Sequence, residues 1–205
     1  MNKILYISSF DISLGKGPSV NERTFIKGLV ANDDDVYCIH GRLTKPLDFN
    51  IKNSYSFIHS PQKHPIFLFF IEVYKFFMAL FIIIFKRIDI IIVRVELFPF
   101  SLFFLSLIFK NKIYIKTFGG GLMNSLTNKG YKNLNEFNNF MFSIILNRSL
   151  GIDTVSLRFK NAIIDKFKID KSKVYVVDNG VDLTMFRKQK NAKQFIFEKY
   201  NIDVR

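Results

Sequence analysis

Glycines and polar residues follow several apolar runs in this 205-residue chain, at places where a ligand could contact the backbone or a side chain. In an open α/β sheet, ligands bind outside the carboxyl ends of the strands, so residues just after predicted strands are the candidates for chemistry. After the first, fourth, fifth and sixth predicted strands these are Ser9, Gly15 and Gly17; Arg94 and Glu96; Thr117, Gly119, Gly120 and Gly121; and Ser156.

The segment Gly15-Lys16-Gly17 lies between the first predicted strand and a predicted helix. Glycines let the backbone approach a ligand closely, and free amides at a helix start favour an anion. Ser19 and Glu22 have the spacing of a capping box, which predicts the helix start there. A dinucleotide fingerprint would need a small residue at Val20, so a nicotinamide or flavin site is not predicted, and a plain loop remains the alternative.

Arg94 and the triple glycine are the other notable features of this edge. Arg94 follows four consecutive apolar residues, so it must leave the core or find a partner, either by clamping a phosphate or by pairing with Glu96. Three glycines in a row lose much chain entropy on folding, a cost more easily explained by backbone contact with a ligand than by a turn alone. A structural turn remains the alternative for Gly119 to Gly121.

The other residues that could bind metals or act as nucleophiles lack the necessary spacing, and no metal or cofactor is expected. His40 and His59 fall at predicted strand ends and His64 precedes a proline, so all three are interpreted as structural. Cys38 is the single cysteine, in an apolar run, and cannot form an internal disulfide. The acidic run 33–35 is typical of a solvated turn.

Strands and helices alternate along the chain. Strands are predicted at 3–8, 36–40, 55–59, 88–94, 112–117, 153–156 and 173–177, and helices at 20–30, 65–85, 97–109, 134–146 and 159–167. Several strands are continuously apolar, which is typical of a parallel sheet buried on both faces. The sequence therefore predicts an α/β, Rossmann-like, doubly wound domain with a mainly parallel sheet and helices on both faces.

The composition limits the partners. Lys and Arg outnumber Asp and Glu by 30 to 17, which suits nucleic acid, anionic lipid or phosphorylated substrates. No basic helix or nucleic-acid-binding motif is visible, so nucleic acid is not expected. The start of the chain lacks the pattern of a signal peptide, and a cytoplasmic location is predicted.

Phenylalanine is concentrated between residues 67 and 109. The span 65–85 would be long enough to cross a membrane if Glu72 and Lys75 were tolerated, but charges at that depth are costly. These two residues lie three apart and can pair in water. A core helix or a helix lying on a lipid surface is therefore predicted, with a membrane-spanning helix as the alternative.

Two stretches resemble a known family. The segment 152–156, followed by 173–186 with its Asn179-Gly180-Val181-Asp182 and a later Phe186, is similar to the end of the N-terminal domain in family 4 glycosyltransferases. Gly17-Pro18-Ser19-Val20, leading into a helix that contains Arg23, resembles the acceptor-side glycine loop of the same family.

The resemblance implies the N-terminal half of a GT-B enzyme, with an acceptor-binding domain at 1–187 and a linker and helix at 188–205. A C-terminal domain, absent from this sequence, would hold the nucleotide sugar. The implied activity is a metal-independent, retaining hexosyl transfer to a lipid-linked or saccharide acceptor in cell-surface polysaccharide synthesis, at the inner face of the cell membrane. This half would be inactive alone, would work with a separate C-terminal-domain chain, and would bind acceptor through Gly15, Gly17, Arg94, Glu96, Thr117, Gly119 and Gly120.

One departure from the family bears on catalysis. Many members carry a histidine after the fifth strand, in a Thr-x-His-Gly-like context, where this chain has Thr117-Phe118-Gly119-Gly120. No catalytic residue is therefore assigned. A non-catalytic, membrane-associated binding module with the same fold is the alternative function, and a flavodoxin-like nucleotide-binding domain, which needs a better phosphate loop, ranks third.

Overall fold

The computed structural model describes residues 2–14, 18–51, 53–57, 65–95, 99–117, 122 and 132–177. Within these ranges lie seven strands, each within a few residues of its predicted position. They are β1 (Lys3–Ile7), β2 (Asp35–Gly41), β3 (Asn53–Phe57), β4 (Ile90–Arg94), β5 (Ile113–Thr117), β6 (Gly151–Thr154) and β7 (Val174–Val176). The division 1–187 and 188–205 stays a prediction, because residues 178–205 are outside the described part.

All seven strands are parallel, in the order β3-β2-β1-β4-β5-β6-β7. The strand order reverses at β1, which pairs with β2 on one side and β4 on the other. Such a reversal point opens a crevice at the carboxyl ends of the two adjacent strands, where open α/β sheets bind ligands. The predicted parallel, doubly wound sheet is confirmed.

The described helices cover both faces of this sheet. They are α1 (Pro18–Ala31), α2 (Pro65–Lys86), α3 (Phe100–Ile108), α4 (Lys132–Arg148) and α5 (Leu157–Phe167), with a 3₁₀ turn at Lys171–Lys173. Ile26 of α1 packs with Ile4, Val36 and Cys38 on one face. The other four helices form a larger core on the opposite face, with side chains such as Ala79, Leu105, Phe142 and Ile163.

Helix α2 follows the predicted phenylalanine-rich span. Glu72 and Lys75 pair with each other as predicted, but both are buried instead of solvated. None of the helices in the described ranges has the combined length and apolarity that crossing a bilayer requires.

The end of β2 packs tightly against the chain that leaves β1. The Gly41 amide donates to the Phe10 carbonyl at 3.1 Å, and the Ser8 amide donates to the Ile39 carbonyl at 2.9 Å. A Cβ on Gly41 would lie 2.7 Å from the Ser9 carbonyl oxygen. This close approach fixes the backbone that leads from β1 to the glycine loop.

We expect Gly41→Ala to lower the free energy of unfolding by about 1–3 kcal/mol, because the clash is with backbone atoms that cannot rotate away. The matched control is Gly28→Ala in α1, where a Cβ would meet no atom within 4 Å. That change should raise the free energy of unfolding by about 0.5–1 kcal/mol through helix propensity. Urea titration of both variants measures the difference, and equal midpoints would contradict the packing argument.

Candidate functional site

The carboxyl ends of the central strands and the facing side of α1 form a buried polar cluster. On β4, Ile91 and Val93 point into the larger core, so the alternation of a strand turns Arg94 toward α1. Lys116 is its register partner on β5 and points the same way. The members of the cluster are Tyr6, Glu22, Arg94, Lys116 and Asp153.

Glu22 is the carboxylate at the centre of this cluster, and its side chain is fully buried. Arg94 Nη1 donates to Glu22 Oε1 at 2.8 Å, and the Tyr6 hydroxyl donates to Glu22 Oε2. The Arg94 guanidinium also lies over the Phe10 ring, 4.2 Å from its centroid. The strand β4, the strand β1 and the helix α1 are thus joined by one carboxylate.

This arrangement corrects the capping-box interpretation of α1. Ser19 is the second residue of the helix, not the residue before it, and the Glu22 carboxylate bonds to Tyr6 and Arg94. It also gives Arg94 a partner, Glu22, that is distant in sequence and was not predicted.

Burial is the main influence on the acid–base properties of these groups. It raises the pKa of Glu22, and Arg94 and the Tyr6 hydrogen bond oppose that shift. Burial, reinforced by Glu22, raises the pKa of Tyr6 well above its usual range. Tyr6 is therefore a neutral hydrogen-bond donor at physiological pH.

A second ion pair joins β5 to β6. Lys116 Nζ lies 3.4 Å from Asp153 Oδ2 and 3.4 Å from the centroid of the Phe25 ring of α1. Asp153 Oδ1 accepts from the Thr117 amide at 3.0 Å, and the Thr117 hydroxyl donates to the Asp153 carbonyl. Burial lowers the pKa of Lys116 and raises that of Asp153, while each partner opposes the other's shift.

The two pairs together balance their charges. Arg94 and Lys116 supply two buried cations, and Glu22 and Asp153 supply two buried carboxylates. An anionic ligand at Arg94 would compete with the Glu22 carboxylate, so the guanidinium is better suited to positioning an edge of the site than to acting as an open phosphate clamp.

A third polar group lies on the opposite face of the sheet, between β1, α2 and α3. Lys75 Nζ donates to Ser9 Oγ at 2.8 Å, and its partner Glu72 accepts from the Ser101 amide at 3.0 Å and the Ser101 hydroxyl at 2.7 Å. A small pocket here is lined by Glu72, Lys75, Arg94, Pro99 and Ser101 together with apolar residues. Ser9, which the sequence rule selected, therefore contacts Lys75, one of the residues that line this pocket.

The structure describes only part of the predicted site. It brings Arg94 and Thr117 to adjacent strand ends, whereas Gly15, Gly17, Glu96, Gly119, Gly120 and Gly121 lie outside the described residues, as do Asn179, His59 and His64. Ser156, a candidate for chemistry after the sixth predicted strand, instead caps α5 by accepting from the Phe159 amide at 3.2 Å.

His40 and Cys38 are core residues of β2. His40 is buried, with Nε2 2.6 Å from Ser54 Oγ and Nδ1 2.7 Å from the Gly41 carbonyl oxygen. Burial lowers the pKa of His40 and raises that of the Cys38 thiol. Neither environment activates the side chain for catalysis, in agreement with their structural interpretation.

Sequence reasoning missed Glu22, Lys116 and Asp153 as members of this edge. Lys116 carries the signal that selected Arg94, namely a cation at the end of an apolar strand. Asp153 is likewise a charge inside a buried strand. A search for every charged residue within a predicted apolar strand would have found both.

Several solved structures have a fold similar to that of this chain. Sucrose-phosphate synthase from Thermosynechococcus elongatus matches with a TM-score of 0.71 and 12% identity, over 96% of this chain and 52% of that one. A glycosyltransferase from Rickettsia africae matches with a TM-score of 0.64 and 22% identity, over 99% and 50%. Anabaena HepE, solved with UDP and glucose, matches with a TM-score of 0.57 and 13% identity, over 97% and 50%.

The chain thus spans about half the length of the solved structures it matches. It has the Rossmann-like fold that forms one half of these GT-B glycosyltransferases, and at such identities the likeness establishes the fold. No protein-family model and no curated protein matches the sequence.

Proposed function

We propose that this chain is the acceptor-binding half of a glycosyltransferase that moves a sugar from a nucleotide sugar to a lipid-linked or saccharide acceptor. The observation that carries the proposal is the match of at least 96% of the chain to about half of each glycosyltransferase structure. The family 4 resemblance of segments 152–156 and 173–186 supports the N-terminal half.

In this proposal the acceptor approaches the carboxyl edge of the sheet. Arg94 and Thr117 form the rigid wall, because Glu22 and Asp153 hold them against α1 and β6. The flanking loops with Gly15, Gly17, Glu96, Gly119 and Gly120 would contact the acceptor through backbone amides and the Glu96 carboxylate.

The sugar nucleotide would be held by a second domain, on the same polypeptide or on a separate chain. Stabilisation of the leaving diphosphate would come mainly from that domain. The proposed setting is cell-surface polysaccharide synthesis at the cytoplasmic face of the membrane, with a retaining transfer that needs no metal or cofactor.

The test measures transfer of a radiolabelled sugar from UDP-glucose and other sugar nucleotides to membrane extracts. The 205-residue chain is assayed alone and together with the polypeptide encoded immediately downstream. We expect product only with both parts. Product from the chain alone would overturn the assignment of the donor site to a second domain.

A non-catalytic, membrane-associated binding module is the second candidate. The charge balance of the buried cluster favours it, because no described side chain at this edge is poised as a general base or nucleophile. If neither transfer assay gives labelled product while an acceptor extract still binds to the immobilised chain, this alternative is the correct one.

A further inference from the structure

Helices α2, α3 and α4 present a continuous aromatic face to solvent on the side away from the sheet. We define this aromatic face by exposed large side chains of the three helices, which are Phe70, Tyr74, Phe77, Phe81, Ile84 and Phe85 of α2, Leu107 and Ile108 of α3, and Phe137 and Phe140 of α4. Phe77 is 61% exposed and Phe85 is 67% exposed, so these rings contribute little to the core.

The exposed residues of α2 follow the helical repeat. Phe70, Tyr74, Phe77, Phe81 and Phe85 are separated by three or four positions and therefore form one stripe along the helix. At a rise of 1.5 Å per residue, the stripe from Phe70 to Phe85 is about 22 Å long. A run of this size without a polar interruption is unusual on a surface that meets only water.

Ring contacts extend the stripe into a plate. Phe69 of α2 lies 5.2 Å from Phe100 of α3, and Phe76 lies 5.9 Å from Phe104. Phe103 of α3 is 6.4 Å from Phe140 of α4. The three helices thus expose one surface instead of three isolated ridges.

The buried Glu72 holds this plate together. Its carboxylate accepts from the amide and hydroxyl of Ser101 in the first turn of α3, while Lys75 pairs with it from α2. Helix α3 has no side-chain hydrogen bond at its own cap residue, Pro99. The Glu72 carboxylate therefore fixes the position of α2 relative to α3 and also accepts the hydrogen bond of the Ser101 amide at the start of α3.

Cations outnumber acids at the ends of α2 and α3 that border the aromatic face. Helix α3 has no charged residue, and the single acid of α2, Glu72, is buried. The end of α2 and the turn after it expose Lys86, Arg87 and the acid Asp89, and the turn after α3 exposes Lys110 and Lys112. Helix α4 adds one exposed acid, Glu136. Because both turns lead into parallel strands, all four cations lie at the same, amino edge of the sheet.

We propose that the aromatic face docks on the surface of a membrane that contains anionic lipid, with α2 lying in the interface and the four cations contacting headgroups. An apolar stripe with a basic border matches the two forces that hold an interfacial helix, which are burial of rings at the acyl boundary and attraction to anionic headgroups. This inference deepens the proposed function and rests on it, because docking on a membrane is of benefit only if the chain binds a lipid-linked acceptor.

Docking in this orientation also places the candidate site. Helix α2 begins at the carboxyl edge and ends at the amino edge of the sheet. With α2 lying in the interface, its first turns bring the carboxyl edge of the sheet close to the membrane surface. A lipid-linked acceptor can then reach this edge without leaving the bilayer.

The test is sedimentation of the 205-residue chain with vesicles of phosphatidylcholine alone and of phosphatidylcholine mixed with phosphatidylglycerol, without any sugar nucleotide. We expect the mixed vesicles to bind the chain more tightly. Phe77→Ser combined with Phe81→Ser should lower the partition coefficient on both vesicles by at least about tenfold, because two rings no longer insert. Circular dichroism confirms that the variant is folded.

A charge variant separates the two forces. Lys86→Gln combined with Arg87→Gln should weaken binding to the mixed vesicles by roughly tenfold or more and leave binding to phosphatidylcholine unchanged. The matched control is Leu157→Ser on α5, where the side chain is 64% exposed but lies outside the aromatic face, and it should bind like the wild type.

Two results would overturn docking on lipid. One is failure of the wild type to sediment with either vesicle. The other is a concentration-dependent dimer in analytical ultracentrifugation that the Phe77/Phe81 variant abolishes while vesicle binding stays absent, which would assign the face to a second copy. Neither result bears on the transfer assay, so failure of docking and failure of the proposed function are distinguishable.

Discussion

Arg94→Met should lower the free energy of unfolding by about 3–5 kcal/mol, because it leaves the Glu22 carboxylate buried without its cation. The Tyr6 hydroxyl and the Lys116 ammonium, which also favours the charged form of Glu22, do not replace the direct ion pair at that depth. Guanidinium chloride titration at neutral pH measures the loss. A change below about 1 kcal/mol would show that the pair behaves like a solvated one.

Glu22→Gln in the Arg94→Met background should recover much of this loss. Glutamine keeps an acceptor for the Tyr6 hydroxyl and removes the unpaired charge. The surface pair of Arg23 and Asp48 supplies the control, since Asp48 is 54% exposed and the Nε–Oδ1 distance is 3.9 Å. Asp48→Asn should change the free energy of unfolding by less than about 1 kcal/mol.

The loss in Arg94→Met should depend on pH in a defined direction. Burial raises the pKa of Glu22, and Arg94 opposes that shift, so removing Arg94 raises the pKa further. Between the unfolded and folded pKa values the folded state then holds a proton that the unfolded state has released. Stability therefore falls as pH rises through the folded pKa of Glu22, and the deficit shrinks on acidification. The double variant, which has no carboxyl at position 22, should lack this dependence.

Glu72→Ala should be comparably destabilising, by about 3–5 kcal/mol, because Lys75 loses its counter-ion inside the protein. The Ser101 amide at the start of α3 also loses its acceptor. The contact between α2 and α3 should loosen first, which hydrogen exchange of the α3 amides detects.

Ser101→Ala is the matched control for Glu72→Ala. It removes the hydroxyl donor but keeps the amide bond and the Lys75 pair, so the expected loss is about 1 kcal/mol. Equal losses in the two variants would contradict the role assigned to the buried carboxylate.

The fold could be predicted from the sequence because its signals are local. Runs such as 90–93 and 113–115 are apolar on both faces, and the helices between them carry a 3.6-residue repeat, so all seven strands and the five helices were found within a few residues. The alternation of strands and helices predicts a mainly parallel sheet, but it does not predict the strand order or the parallel pairing of β2 with β3, between which no helix is predicted or described.

The partners within the candidate site could not be predicted in the same way. The pattern Ser19 to Glu22 fits a capping box, yet Glu22 pairs with Arg94, which is 72 positions away. A short motif carries no information about a charge on a distant strand, and a buried cation outweighs a solvated backbone amide as a partner. The pairing of Glu72 with Lys75 was predicted correctly. Their burial was not, because it depends on α3, which covers both side chains.

The position of β1 inside the sheet has a consequence for how the chain folds. Residues 4–7 pair with residues 90–93, so β1 gains its second neighbour only after more than eighty further residues have been added. At the usual rates of translation that interval is on the order of ten seconds. During this time one edge of a mostly apolar strand is unpaired while the phenylalanine-rich helix is being made, and contacts between residues this far apart in sequence form slowly. The nascent chain is therefore the form of this protein most exposed to aggregation, and a bilayer or a chaperone near the ribosome would protect it.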